Sequence, residues 1–313
     1  MIISETGRRR LSVASVVLTA LIGLAGCGSD PSPDDSGPRP AAFPSTGTAT
    51  VEVGGHQVTV HVPDSYQPDR SAPLVILLHG YSSNGAEQER YLKFAPLTQQ
   101  RGFVYAVPEG LTDRRGNQYW NATDACCDFD QAGSDDSGYL SELIRKLQET
   151  YRTDARRVYL IGHSNGAFMA FRMACDHADQ VTAIATLNGA TWNDRSRCAP
   201  TAPVGVLDIH GTADETIAYA GGSNSGQAYP SAARTVADWL GHNGCADTGT
   251  QLPALDLVAT LPGPETRVTD HQSGCAAGSS VRTWVIDGGS HVPAFNPTFA
   301  PAVLDHLLTQ VKP

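Results

Sequence analysis

The chain has 313 residues, 41% of them hydrophobic, enough for one sizeable core in one or two domains. Its formal net charge is −10, from 22 basic and 32 acidic residues, and an acidic surface of that size argues against a nucleic-acid partner. The sequence carries no internal repeat, no coiled-coil heptads and no nucleotide-binding glycine loop.

Arg8-Arg9-Arg10 is followed by an apolar stretch, Leu11 to Leu24, that is too short to span a membrane as a stable helix. Together they read as an export signal over residues 1–26. The signal ends in Leu24-Ala25-Gly26-Cys27, which is similar to a bacterial lipobox. In such signals the cysteine is lipidated and begins the mature protein. The alternative is an ordinary secretory signal with an incidental cysteine. The expectation is therefore an exported protein, either a cell-envelope lipoprotein or extracellular, that meets the membrane only through lipid on Cys27. Residues 27–46 are rich in Ser, Asp, Pro and Gly and read as a disordered linker. Residues 47–313 read as one folded domain.

Thr48–Val53 and His56–Val62 alternate polar and apolar residues around Gly54-Gly55, which predicts a hairpin with a two-residue turn. Leu74–Leu78 is a continuous apolar run, as a strand buried on both faces should be. Ala86–Gln100 has helical spacing, with Pro96 set to kink or split it. Phe103–Val107 predicts another buried strand, and a long polar loop, Glu109–Ser134, follows. Tyr139–Tyr151 predicts a helix. Further strands are expected at Arg157–Ile161, Val181–Leu187, Val204–Ile209 and Val281–Ile286. A closing helix is expected over Thr298–Val311, with Asn296 as N-cap and Pro297 at the first helical position. Buried strands alternating with helices imply an α/β fold, a mostly parallel sheet with helices on both faces and an antiparallel hairpin leading it.

Gly162-His163-Ser164-Asn165-Gly166 lies between the Arg157–Ile161 strand and a helical stretch from Ala167 to Ala174. That is the strand–turn–helix setting of a nucleophile elbow, in which small residues flank a tightly turned serine. A serine hydroxyl is a weak nucleophile at neutral pH and needs a base and an orienting carboxylate, in the chain order Ser, acid, His. Asp214 follows the Val204–Ile209 strand and His291 follows the last strand, so these are the candidates. Glu215 is the runner-up acid, and Asp208 is a weaker alternative inside its strand. His163 is too close in sequence to reach its neighbour's hydroxyl. His242, His271 and His306 read as solvated positions. The N–H groups of Asn165 and Tyr81 are the candidate oxyanion donors. Trp120 and Asn121 are expected to line the cleft, although a tryptophan capping the core beneath a long loop would read the same.

With these residues in hand, the chain resembles the secreted α/β-hydrolases that include polyhydroxybutyrate depolymerase-like and feruloyl or acetylxylan esterase-like proteins, some of them actinobacterial lipoproteins. The segments that carry the resemblance include Leu78-His79-Gly80-Tyr81, Trp120-Asn121, Cys126-Cys127, the elbow, His210-Gly211-Thr212-Ala213-Asp214, Asn243-Gly244-Cys245 and Gly288-Gly289-Ser290-His291. Two departures stand out. Ala167 occupies the place of a frequent second glycine, and Val292 that of a frequent tryptophan after the histidine. The resemblance implies an α/β-hydrolase catalytic domain over residues 47–313 and a serine esterase with Ser164, Asp214 and His291 as triad. It needs no cofactor and no metal.

If Cys27 carries lipid, six cysteines remain for an oxidising compartment, which suits three disulfides. Cys245 with Cys275 is the favoured pair. Cys126 and Cys127 are expected to reach Cys175 and Cys198, in an unresolved order. The sequence thus predicts an extracytoplasmic serine carboxylesterase for short acyl, hydroxycinnamoyl or hydroxyalkanoate esters. A serine peptidase of the same fold and a non-catalytic surface binding protein are the alternatives.

Overall fold

The computed structural model describes residues 46–313. The expected signal (1–26), Cys27 and nearly all of the expected linker (27–46) lie outside the described residues.

Ten strands form one sheet: β1 (Gly47–Val53), β2 (His56–Val62), β3 (Leu74–Leu78), β4 (Val104–Val107), β5 (Val158–His163), β6 (Ala183–Leu187), β7 (Gly205–Gly211), β8 (Thr250–Leu255), β9 (Thr266–His271) and β10 (Val281–Ile286). Their spatial order is β1-β2-β4-β3-β5-β6-β7-β10-β9-β8. The stretch from β4 to β10 is parallel throughout, and β2 joins β4 antiparallel. The leading hairpin pairs Val53 with His56 across Gly54-Gly55, as the glycine pair predicts. Gly54 and Gly55 both take positive φ, which a two-residue hairpin turn of this type requires.

Among the described residues the α-helices are α1 (Gly85–Leu92), α2 (Thr98–Arg101), α3 (Asp136–Tyr151), α4 (Asn165–Asp176), α5 (Ala232–Asn243) and α6 (Phe299–Leu307). One face of the sheet buries Leu74, Ile76 and Leu78 with the apolar stripes of α3 and α4 and with Trp239 and Leu240 of α5. The other buries Val75 and Leu77 with residues of α1 and α6. Alternate side chains of one strand thus feed two cores, and the strand reads as an unbroken apolar run. The expected 86–100 helix is split: α1 stops at Leu92, and a short 3₁₀ turn over Ala95–Leu97 carries Pro96 before α2.

Three expectations need correcting. The closing helix is shorter than expected and its N-cap is Thr298; Asn296 instead accepts the Thr298 N–H on its side chain at 3.0 Å, outside the helix. The sheet continues past β10 through the antiparallel strands β9 and β8, which the sequence did not suggest. The register of β8 on β9 shifts between Leu252 and Leu255, where Pro253 cannot donate to the ladder. The cysteines pair as Cys126 with Cys127, Cys175 with Cys198, and Cys245 with Cys275. The last is the favoured pair. For the first four the expected cross-pairing is replaced: the end of α4 brings Cys175 to a Cα–Cα distance of 5.1 Å from Cys198. Those four sulfurs share one core cluster, so spacing along the chain could not order them.

Candidate active site

Ser164 sits between β5 and α4 with φ 54° and ψ −120°. For a non-glycine residue this is a strained conformation, costing of order 1–3 kcal/mol, and it is held by the packing around it. A Cβ on Gly162 would overlap the Gly166 carbonyl, and one on Gly166 would overlap the Leu78 carbonyl. Only glycine lets the three backbones approach this closely. The Ser164 N–H donates to the Leu187 carbonyl of β6 at 2.9 Å, which fixes the turn to the neighbouring strand.

Asp214 follows β7 and His291 follows β10, and these two strands are parallel neighbours. Gly211 and Gly289 meet where the two chains emerge, since a Cβ on Gly211 would overlap the Gly289 carbonyl. The fold therefore brings together three residues far apart in sequence. His291 Nε2 lies 2.9 Å from Ser164 Oγ, and His291 Nδ1 lies 2.8 Å from Asp214 Oδ2 and 3.0 Å from Oδ1. Asp214 Oδ1 also accepts the Thr216 and Ile217 N–H groups at 2.8 and 2.9 Å. Burial pushes the Asp214 carboxyl up, but the His291 hydrogen bond and charge, with those two N–H groups, outweigh it and hold the acid below its ordinary value. With Asp214 ionised, His291 carries its proton on Nδ1 and turns the Nε2 lone pair to Ser164.

The other two candidate acids are placed elsewhere. Glu215 is exposed. Asp208 is buried in β7, bonded to Thr186 Oγ1 at 3.1 Å, and burial raises it to about 7.

The loop after β3 passes over Ser164. A Cβ on Gly80 would lie 3.5 Å from the Ser164 Cβ. Its peptide is gripped on both sides: Gln88 Oε1 accepts the Gly80 N–H at 3.1 Å, and His79 Nδ1 donates to the Gly80 carbonyl at 2.8 Å. His79 Nε2 accepts the Gly110 N–H at 3.0 Å, and burial lowers the ring to about 4, so it stays neutral. Tyr81 follows, and it lines a cleft of about 260 Å³ with Ser164, His163, His291 and Tyr91. Asn165 opens α4, where a backbone N–H has no partner within the helix.

Trp120 does not line this cleft, and that expectation is corrected. It is fully buried beneath the loop, with Nε1 donating to the His79 carbonyl at 3.1 Å. A buried indole needs a partner for its N–H, and the underside of the β3 loop supplies one. The Asn165 side chain pairs with both backbone groups of Trp120, at 2.7 and 2.9 Å. Asn121 donates to the Ser134 carbonyl and lines a second, polar cleft of about 670 Å³ with Arg172, Asp128 and Phe129. The two clefts adjoin where the Tyr81 and Phe129 rings meet at 5.2 Å.

The reading of His271 and His306 as solvated is also corrected. Both are buried, and His242 is half-buried. His306 lies three residues after Val303 on α6 and so turns with it toward the sheet.

Three residues around the site carried no sequence motif of their own. Asn188 sends its side-chain N–H groups to the Ser290 and His291 carbonyls at 3.0 and 2.8 Å. His163 donates from Nε2 to the same His291 carbonyl at 2.9 Å, and burial lowers its ring to about 4. Tyr91 Oη donates to the Pro293 carbonyl at 3.0 Å. Gly-x-Ser-x-Gly left His163 as an arbitrary residue, and nothing local marks Asn188 or Tyr91.

Comparison with known proteins agrees with this fold. The family described as Phospholipase/Carboxylesterase matches residues 65–242, more than half of the chain. Feruloyl esterase D of Neurospora crassa is 27% identical, over 83% of this chain and 88% of its own length. Feruloyl esterase B of Piromyces equi is 26% identical over 75% of this chain, which spans only 42% of that protein. The solved acetyl xylan esterase from Aspergillus awamori superposes with a TM-score of 0.60 at 16% identity, covering 83% of this chain and 98% of that one. That likeness carries the α/β-hydrolase fold.

Proposed function

The chain belongs to the phospholipase/carboxylesterase family, and from that premise we propose that it is an exported serine carboxylesterase acting through Ser164, His291 and Asp214. The observation that carries the reading is the unbroken hydrogen-bond chain from Ser164 Oγ through both nitrogens of His291 to Asp214. In the proposed reaction Ser164 Oγ attacks the ester carbonyl while His291 Nε2 takes its proton. The oxyanion is held by the Tyr81 and Asn165 N–H groups, and Asp214 stabilises the imidazolium. His291 then protonates the departing alcohol, and water, activated by the same nitrogen, releases the acyl group from Ser164.

The substrates we propose are esters of short acyl, hydroxycinnamoyl or hydroxyalkanoate groups. The modest cleft of about 260 Å³ beside Ser164 supports a small acyl group, and the relatives named feruloyl and acetyl xylan esterases support the chemistry. Export, with lipid on Cys27 holding the domain to the cell envelope, is supported by the three disulfides, which suit an oxidising compartment.

The test is initial rates on p-nitrophenyl acetate and octanoate, methyl ferulate, acetylated xylan, a hydroxybutyrate trimer and an amide panel, with Ser164→Ala alongside. We expect ester hydrolysis that falls by roughly 10⁴-fold or more in the variant. Equal rates in both proteins would remove Ser164 from the mechanism, and preferential amide cleavage would make the protein a peptidase.

A further inference from the structure

The segment that carries His291 is poorly anchored by its own packing. Ser290 and Val292 are both exposed, Val292 at 57%. Upstream, the loop is tied to the acid's strand by Ala213 N–H on the Gly289 carbonyl at 2.9 Å and Gly288 N–H on Thr212 Oγ1 at 2.8 Å. Around His291 itself the side-chain bonds to the backbone come from Asn188 and His163.

Asn188 is fully buried and takes φ 54° directly after β6. Its Oδ1 accepts the Gly211 N–H at 2.9 Å, and its two Nδ2 hydrogens go to the Ser290 and His291 carbonyls. One amide therefore bridges the acid's strand and the base's loop, with its whole donor capacity spent on the two residues that aim the imidazole. Its chain neighbour Leu187 accepts the Ser164 N–H. The three groups of the triad are thereby referenced to one point at the end of β6. His163, beside the nucleophile, donates to the same His291 carbonyl and stands 5.1 Å from the His291 ring.

We propose that Asn188 is a positioning residue: it fixes the main chain of His291, with His163 as second donor, so that Nε2 stays in line with Ser164 while Asp214 sets the ring's rotation. This rests on the catalytic reading of Ser164 and His291 given above. A displacement of about 1 Å at the base is enough to cost a rate of about 100-fold.

The experiment compares Asn188→Gly and Asn188→Asp with wild type on p-nitrophenyl acetate, with melting temperature measured in parallel. Glycine relieves the positive φ and deletes the amide. Aspartate keeps the shape and the bond from Gly211 but presents acceptors where two donors are needed. The expected result is a fall of about 100-fold in kcat with KM held within about twofold, and a matching slowing of Ser164 labelling by phenylmethylsulfonyl fluoride. His163→Leu, which removes the other donor without touching position 188, should show the same split and carries the test if the aspartate variant does not fold. Variants that melt lower yet keep wild-type kcat and labelling rate overturn the proposal, as does a loss confined to KM. A fully active Ser164→Ala fails the catalytic reading beneath it. An inactive Ser164→Ala beside a fully active Asn188→Gly fails this inference alone.

Discussion

Asp214 is buried, with Nδ1 of His291 and two backbone N–H groups on its oxygens, while Glu215 beside it is exposed. Two neighbours of the same charge are thus separated by their hydrogen bonds. Asp214→Asn would present an amide to His291 and favour the wrong tautomer. It should lower kcat by about 10⁴-fold while leaving the fold intact by circular dichroism. Glu215→Gln should stay within about twofold of wild type in the same assay. The three residues joined in the hydrogen-bond chain were legible from the sequence because each follows a recognisable strand in the order an α/β-hydrolase uses. Trp120 was misplaced because a tryptophan in a polar loop reads alike whether it faces a cleft or seals the core. Asn188 was invisible because an amide shows its purpose only when the carbonyls it binds, about a hundred residues away, are in place.

The strand–elbow–helix unit of β5 and α4 depends on absent side chains as much as on present ones. Gly166→Ala would drive a methyl group into the Leu78 and His79 carbonyls, which are backbone and cannot step aside. Forcing the helix away from β3 should destabilise the protein by roughly 1–3 kcal/mol, read as a lowered denaturation midpoint. It should also cut esterase activity, because Ser164 and the Gly80 loop move apart. The central strands were legible as apolar runs. The missed elements have weaker patterns for identifiable reasons. α5 buries Thr235, Asp238 and Asn243 along with Trp239, so its inner stripe does not read as apolar. β8 is almost wholly exposed and contains Pro253, and β9 buries only Thr266, Val268 and His271, with Arg267 and Asp270 interrupting any apolar run.

Across the whole molecule, buried ionisable groups set how stability depends on pH. Burial lowers His79, His163 and His306 from 6.5 to about 4 and raises Asp208 from 3.8 to about 7. Between about pH 4 and 6.5 the unfolded chain protonates the three histidines while the folded chain keeps them neutral, so acidification favours unfolding by about 3 kcal/mol for each histidine. Asp208 works in the opposite sense, since the folded state keeps its proton up to about 7 while the unfolded state releases it near 3.8. Burial also lowers His61, His210 and His242 and raises Glu89, Glu109 and Asp136. Six histidines thus oppose four carboxyls and leave a net loss of stability as pH falls from 6.5 to 4; Asp214, held below its ordinary value, adds to it at still lower pH. Thermal melts should therefore peak near pH 6.5–7 and decline steadily toward pH 4; a flat profile over that range would contradict these protonation states. The outer margin of the sheet has a consequence of another kind. At β8 the ladder breaks its register around Pro253, a residue without an N–H to offer. An irregular strand with a shifted register bends and twists the free edge away from a flat ladder, so this margin is a poor template for further chains. The protein should thereby resist edge-to-edge aggregation on that side.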